Sequence, residues 1–192
     1  MTQKTGGSGR SSKPATGKRP PSHSGPADEH KHVNVITLDL NVSLEQIHRH
    51  AAGLLGGAEI IGRPIGTDPL GAHFLLEGGI PNRSLDHLAG CLTVMGAESL
   101  ERAIGMSLRT LQRKEKRPRD LLSHEQAGRA WQFAELLAKA TAVFGAQNEA
   151  EQWFERPAMG LNQERPIDLL TTPAGVKVVE DYLERLAYGV YA

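Results

Sequence analysis

The chain has 192 residues with 22 Lys/Arg, 22 Asp/Glu and a formal net charge of +0, enough for one domain or two small helical ones. A single cysteine, Cys91, excludes an intrachain disulfide and a cysteine-based zinc site. No window reaches the ~18 consecutive apolar residues of a membrane span, and the N-terminus lacks the apolar core of a signal peptide, so the expected compartment is the cytoplasm.

The zero net charge hides segregation. Residues 1–31 hold six bases and two acids, and residues 32–101 three bases and eight acids. Residues 102–119 hold seven bases and one acid, and residues 120–192 six bases and eleven acids. Only charges within about a Debye length, ~8 Å at physiological salt, act together, so a basic island still binds nucleic acid in a neutral protein. The acidic C-terminal part repels nucleic acid and is left for a protein partner.

Residues 1–31 are rich in Gly, Ser, Pro, Lys and Arg, with no large apolar residue after Met1. Such a segment buries too little surface to offset its ordering entropy, which predicts a disordered basic tail. His30, His32, His48 and His50 form two His-x-His pairs with no acid or thiol at ligand spacing, so neither a metal nor a cofactor is expected. Residues 33–40 are short and β-prone, either a lone strand or an extended arm.

Ser43 and Gln46 form a capping box that opens a helix to about Leu55, stopped by Gly56 and Gly57. Thr67-Asp68-Pro69 opens a second, to Glu77. Pro81 and Ser84 start a third that runs through Leu92. Cys91 lies in an apolar run, which favours packing over a reactive thiol.

Ser123 and Gln126 box the start of a long helix whose Trp131, Ala134, Leu137, Ala138 and Thr141 recur at helical spacing until Gly145. Asn148 and Glu151 repeat the capping pattern for a short helix ended by Pro157. Thr172-Pro173 opens the last helix, with Val176, Val179, Leu183 and Leu186 in one apolar stripe. The predicted fold class is predominantly α.

Within the basic island, apolar residues fall at Leu100, Ile104, Met106 and Leu111 around Gly105, the spacing of a helix-turn-helix. Ser107 caps the second helix and Pro118 stops it. Leu108 and Leu111 face inward. Arg109, Arg113 and Lys116, spaced i, i+4, i+7, lie on the opposite face with Gln112. An Arg/Gln/Lys face on such a helix suits major-groove reading, with Ser107 and Thr110 beside it. The alternative is a solvated basic helix in an ordinary bundle.

Catalytic patterns are poor. Ser84, Asp86 and His87 are too close in sequence to converge as a triad. Residues 53–57 match neither a P-loop nor a dinucleotide fingerprint and read as a helix C-cap. No enzyme is expected; a binding protein with a basic surface and an apolar C-terminal end is.

The ordered landmarks Ala103-Ile-Gly-Met-Ser-Leu-Arg-Thr-Leu-Gln-Arg113, Leu122-Ser123, Phe144-Gly145, Ala150-Glu-Gln-Trp153, Pro157, Leu161, Pro166-Ile-Asp-Leu-Leu170, Thr172, Gly175, Val179 and Gly189-Val-Tyr-Ala192 resemble the Xre/MbcA/ParS antitoxin family. The resemblance covers roughly residues 78–192. It implies residues 32–122 as an Xre-like helix-turn-helix domain with an N-terminal extension, and residues 123–192 as a toxin-binding domain. It further implies a homodimer on operator DNA that represses its own operon, and a RES-domain toxin that degrades NAD⁺ as partner. Carried over, Gly189, Val190, Tyr191 and Ala192 would plug that toxin's active site; folding back onto the protein's own helices is the alternative. A stand-alone helix-turn-helix regulator is the competing function.

Overall fold

Side-chain capping determines where several helices begin in the computed structural model, which describes residues 43–189 except 108, 111, 112, 114 and 115. The expected tail (1–31) and β-prone segment (33–40) lie outside the described residues, as do Leu108, Leu111, Gln112 and Val190–Ala192. The helices are α1 (Leu44–Leu54), α2 (Gly57–Ile61), α3 (Pro69–Glu77), α4 (Arg83–Cys91), α5 (Ala97–Ile104), α6 (His124–Phe144), α7 (Gln147–Glu155), α8 (Pro166–Leu169) and α9 (Pro173–Ala187). A 3₁₀ turn, Met159–Leu161, precedes α8. Among the described residues the only β pairing is an isolated antiparallel bridge between Pro81 and Leu121.

Ser43 and Ser123 make reciprocal capping boxes with Gln46 and Gln126. Asp68 accepts the Gly71 N–H at 2.6 Å, and Thr172 accepts that of Gly175 at 3.1 Å. Each cap satisfies one of the N–H groups that a helix start leaves unpaired. Pro69 and Pro173 follow at first-turn positions, where their missing N–H does no harm.

The first helix ends at Leu54, ahead of Gly56 and Gly57 as expected; both glycines have positive φ and lead into α2. Two expectations are corrected. The third helix begins at Arg83, and Ser84 is fully buried inside it rather than capping it. Asn148 does not cap α7. The N-cap there is Ala146, with no side-chain bond, and Glu151 is fully buried with partners elsewhere.

The core is centred on α6. The expected stripe is inward, but Ala127, Ala130, Phe133, Leu136 and Ala140 are buried as well. A helix apolar over most of its circumference is an interior helix, and its alanines let neighbours approach closely. Here α6 packs against α1, α5, α7 and α9. Phe133 meets Phe154 of α7 edge-on at 6.0 Å, a preferred aromatic geometry. His48 of α1 is buried in the same core, edge-on to Trp131 and 3.0 Å from the Thr67 carbonyl through Nδ1, so it is a packing residue. Among the described residues no helix is long and apolar enough to cross a membrane.

Candidate functional site

The basic segment sits between two anchors. At its entry α5 ends at Gly105 in the left-handed region, φ 67°, where its N–H donates to the Glu101 carbonyl at 2.8 Å. A side chain at this position would collide with the Arg129 guanidinium. Met106 follows, buried, its N–H donating to the same carbonyl. Ser107 then accepts the Thr110 N–H through its carbonyl at 2.8 Å and its hydroxyl at 3.3 Å. The two hydroxyls are 3.0 Å apart. Ser107 is therefore a cap, with Thr110 closed onto it.

At the exit buried Asn82 holds the chain that follows the basic helix. Its side-chain amide donates to the Arg117 carbonyl at 2.9 Å, and its N–H to the Asp120 carbonyl at 2.8 Å. Leu122 N–H donates to the Ile80 carbonyl. Between the anchors Arg109, Thr110 and Arg113 are helical, and Arg109, Arg113 and Lys116 are exposed. These four residues line one surface depression. The structure thus brings the predicted basic side chains together; Gln112 lies outside the described residues.

Arg102 does not belong to that face. It pairs with Asp168 at the start of α8 and with Glu98 one turn back in α5. Asp168 also receives Arg165 in a two-pronged contact of 2.7 and 2.9 Å. Arg165 reaches Glu155 at 3.4 Å, and Glu155 accepts the Ser99 hydroxyl. The Arg165 hydrogen bonds, with help from Arg102, hold the Asp168 carboxyl below the usual carboxylate range against the opposing effect of burial. The Asp168 hydrogen bonds correspondingly raise both guanidinium groups.

Glu151 is fully buried. One of its oxygens accepts the N–H groups of Thr93, Val94 and Met95 at 2.9, 2.6 and 3.0 Å. The other accepts the Gln147 side-chain amide at 2.7 Å, and that amide also donates to the Cys91 carbonyl. These bonds replace the capping role expected of Glu151. The available signal was helical phase, since 151 shares the inward face of α7 with Ala150 and Phe154.

Cys91 is half-buried rather than fully packed away, 3.5 Å from His87 Nδ1. Burial, then the Glu151 charge, pushes its thiol pKa up, which disfavours the reactive thiolate. Among the described residues no group of three His, Cys, Asp or Glu is placed to hold a metal ion.

Along α9, Val178, Asp181, Glu184, Arg185 and Tyr188 line a surface depression. Tyr188 is 80 % exposed, and Gly189, at φ 65°, donates its N–H to the Leu186 carbonyl just past the helix end. Residues 190–192, the rest of the expected plug, lie outside the described residues.

Two family models match the chain. One, described as an antitoxin Xre-like helix-turn-helix domain, covers residues 72–135. The other, the antitoxin Xre/MbcA/ParS C-terminal toxin-binding domain, covers residues 139–189. Neither describes an enzyme. The chain is also similar to a protein named antitoxin Xre from Pseudomonas putida KT2440, with 32% identity over 90 residues. That match takes in 47% of this chain and 56% of the relative, so the chain spans about half the length of the curated relative it matches.

Proposed function

This chain belongs to the Xre/MbcA/ParS antitoxin family, and on that premise we propose that it neutralises a RES-type, NAD-degrading toxin and represses its own operon. In this reading residues 123–192 engage the toxin, and Gly189, Val190, Tyr191 and Ala192 enter its active site. Residues 32–122 bind operator DNA as part of a homodimer through Ser107, Arg109, Thr110, Gln112, Arg113 and Lys116. The observation that carries the reading is the order of the two matched segments along one helical scaffold. The supporting geometry is local: a basic face anchored at both ends, and a C-terminal helix followed by exposed Tyr188 and a left-handed Gly189. A tyrosine offers a broad apolar face and one hydroxyl, which suits a site that takes an aromatic dinucleotide.

The test is co-expression with a RES-type toxin encoded beside this reading frame. Wild type should restore growth and co-purify with the toxin. Deleting residues 189–192 should release toxin activity while operator binding persists. Arg109→Ala with Arg113→Ala should do the reverse, each lost bidentate base contact costing about 1–3 kcal/mol. Full neutralisation by the truncated protein would place inhibition on another surface. Operator binding without any toxin protection would favour a stand-alone regulator.

A further inference from the structure

We propose that Glu151, Glu155 and Asp168, in the segment that matches the toxin-binding domain, are positioning residues for operator binding. They orient α5, the first helix of the helix-turn-helix, and through it the basic face. The inference rests on the DNA-binding half of the function proposed above. It adds that the DNA-reading unit is incomplete without the carboxylates of the C-terminal segment.

Helix α5 has eight residues and no side-chain cap at Gly96. Isolated helices shorter than about 12–15 residues are marginal in water, so tertiary contacts must decide its orientation. Its buried side chains, Leu100, Ala103 and Ile104, provide non-directional apolar packing. Directional constraint comes from polar partners, and those described along α5 are mostly supplied by α7 and α8.

Three points on α5 and its approach are held this way. Glu151 gathers the consecutive N–H groups of Thr93, Val94 and Met95, fixing the loop that enters the helix. Glu155 takes the Ser99 hydroxyl in the first turn. Asp168 takes Arg102 in the last. Arg165 contacts both Glu155 and Asp168, so the two acceptors are set relative to each other before α5 is considered. Immediately beyond α5 come Gly105, Met106 and Ser107, and then the basic face, so a tilt or rotation of α5 is transmitted to Arg109 and Arg113.

The sign of the effect separates positioning from simple electrostatics. Removing acids from a protein that binds a polyanion normally tightens binding. Positioning predicts the opposite. In the full chain, Glu155→Gln with Asp168→Asn should weaken operator binding about 3–30-fold although two negative charges are gone. Amide exchange across α5 should accelerate while α9 keeps its protection. Arg102→Gln, at a side chain 41 % exposed, tests the same bridge without altering α8. It should weaken binding with an unchanged salt slope, whereas loss of a phosphate contact would lower the slope by about 1. Arg102→Lys should recover most of the affinity.

Equal or tighter operator binding by the double variant, with α5 exchange unchanged, overturns the inference. So does a slope that falls for Arg102→Gln. A wild-type protein that binds no operator defeats the functional reading itself. In that event exchange in α5 alone decides: acceleration supports the clamp on the helix, and unchanged exchange removes it.

Discussion

Glu151 shows how much one side chain decides. A buried carboxylate is tolerated when its lone pairs are filled, and here three main-chain N–H groups and one amide fill them. Glu151→Ala leaves the buried Met95 N–H without its acceptor, at about 1–3 kcal/mol for an unsatisfied buried group, and empties the space of a fully buried side chain, so the variant should lose about 2–4 kcal/mol in urea denaturation. Glu151→Gln keeps an acceptor oxygen and should lose clearly less. Asp168 supplies a pH signature. Its folded pKa lies below its unfolded one, chiefly because Arg165 donates to it. Its contribution to stability is therefore complete above the ordinary carboxylate range and lost as pH falls through the folded value. Between about pH 5 and about pH 2 the melting temperature of Asp168→Asn should fall less steeply than that of wild type. Parallel curves would show that this carboxylate is not coupled to folding.

At the scale of elements, the capping pattern Ser/Asn-x-x-Glu/Gln is a local signal with two physical outcomes. At Ser123 and Gln126 the reciprocal bonds form; at Asn148 and Glu151 they do not. Ser123→Ala should therefore cost about 1 kcal/mol, whereas Asn148→Ala should stay within about 0.5 kcal/mol of wild type in the same denaturation assay. Equal losses at both sites would contradict the assigned caps. The short basic helix depends on its neighbours in the same sense. Gly105 turns the chain into it, and Asn82, far away in sequence, closes it off. The Gly-Met-Ser turn is readable from spacing, but the Asn82 anchor is not, because nothing near position 82 marks a partner at position 117.

For the whole molecule, charge segregation takes on a structural meaning. Arg102 counts toward the basic island in sequence, yet it is drawn into ion pairs with Asp168 and Glu98. The remaining face should bind operator with affinity that falls steeply with salt. Residues 1–31 carry six bases and two acids. By composition they add few native contacts, so deleting them should leave the melting temperature nearly unchanged and weaken DNA binding only slightly. A large thermal loss would show that the segment is packed. The two matched segments, 72–135 and 139–189, meet on α6, which also carries the Lys139 link to Glu180 of α9. Burial lowers the Lys139 pKa, but its hydrogen bonds and charge pairing with Glu180 and Glu135 outweigh this, so the net shift is upward and the link stays ionised.

The sequence by itself determined the features governed by neighbours within about one helical turn: the helical class, the side-chain caps at Ser43, Asp68, Ser107, Ser123 and Thr172, the glycine turn at 105 and the shared exposure of Arg109, Arg113 and Lys116. Spacing in the chain equals spacing in space over such distances. Only the tertiary structure decided that α6 is buried over most of its circumference and that His48 packs against Trp131. It also set Glu151 against the loop that enters α5, rather than as a cap of its own helix, and joined Asp168 to Arg102 of α5. The His48–Trp131, Glu151–Met95 and Asp168–Arg102 contacts join residues 83, 56 and 66 positions apart. They are made by burial and hydrogen-bond demand once the helices meet, and no local pattern encodes which partner will be there.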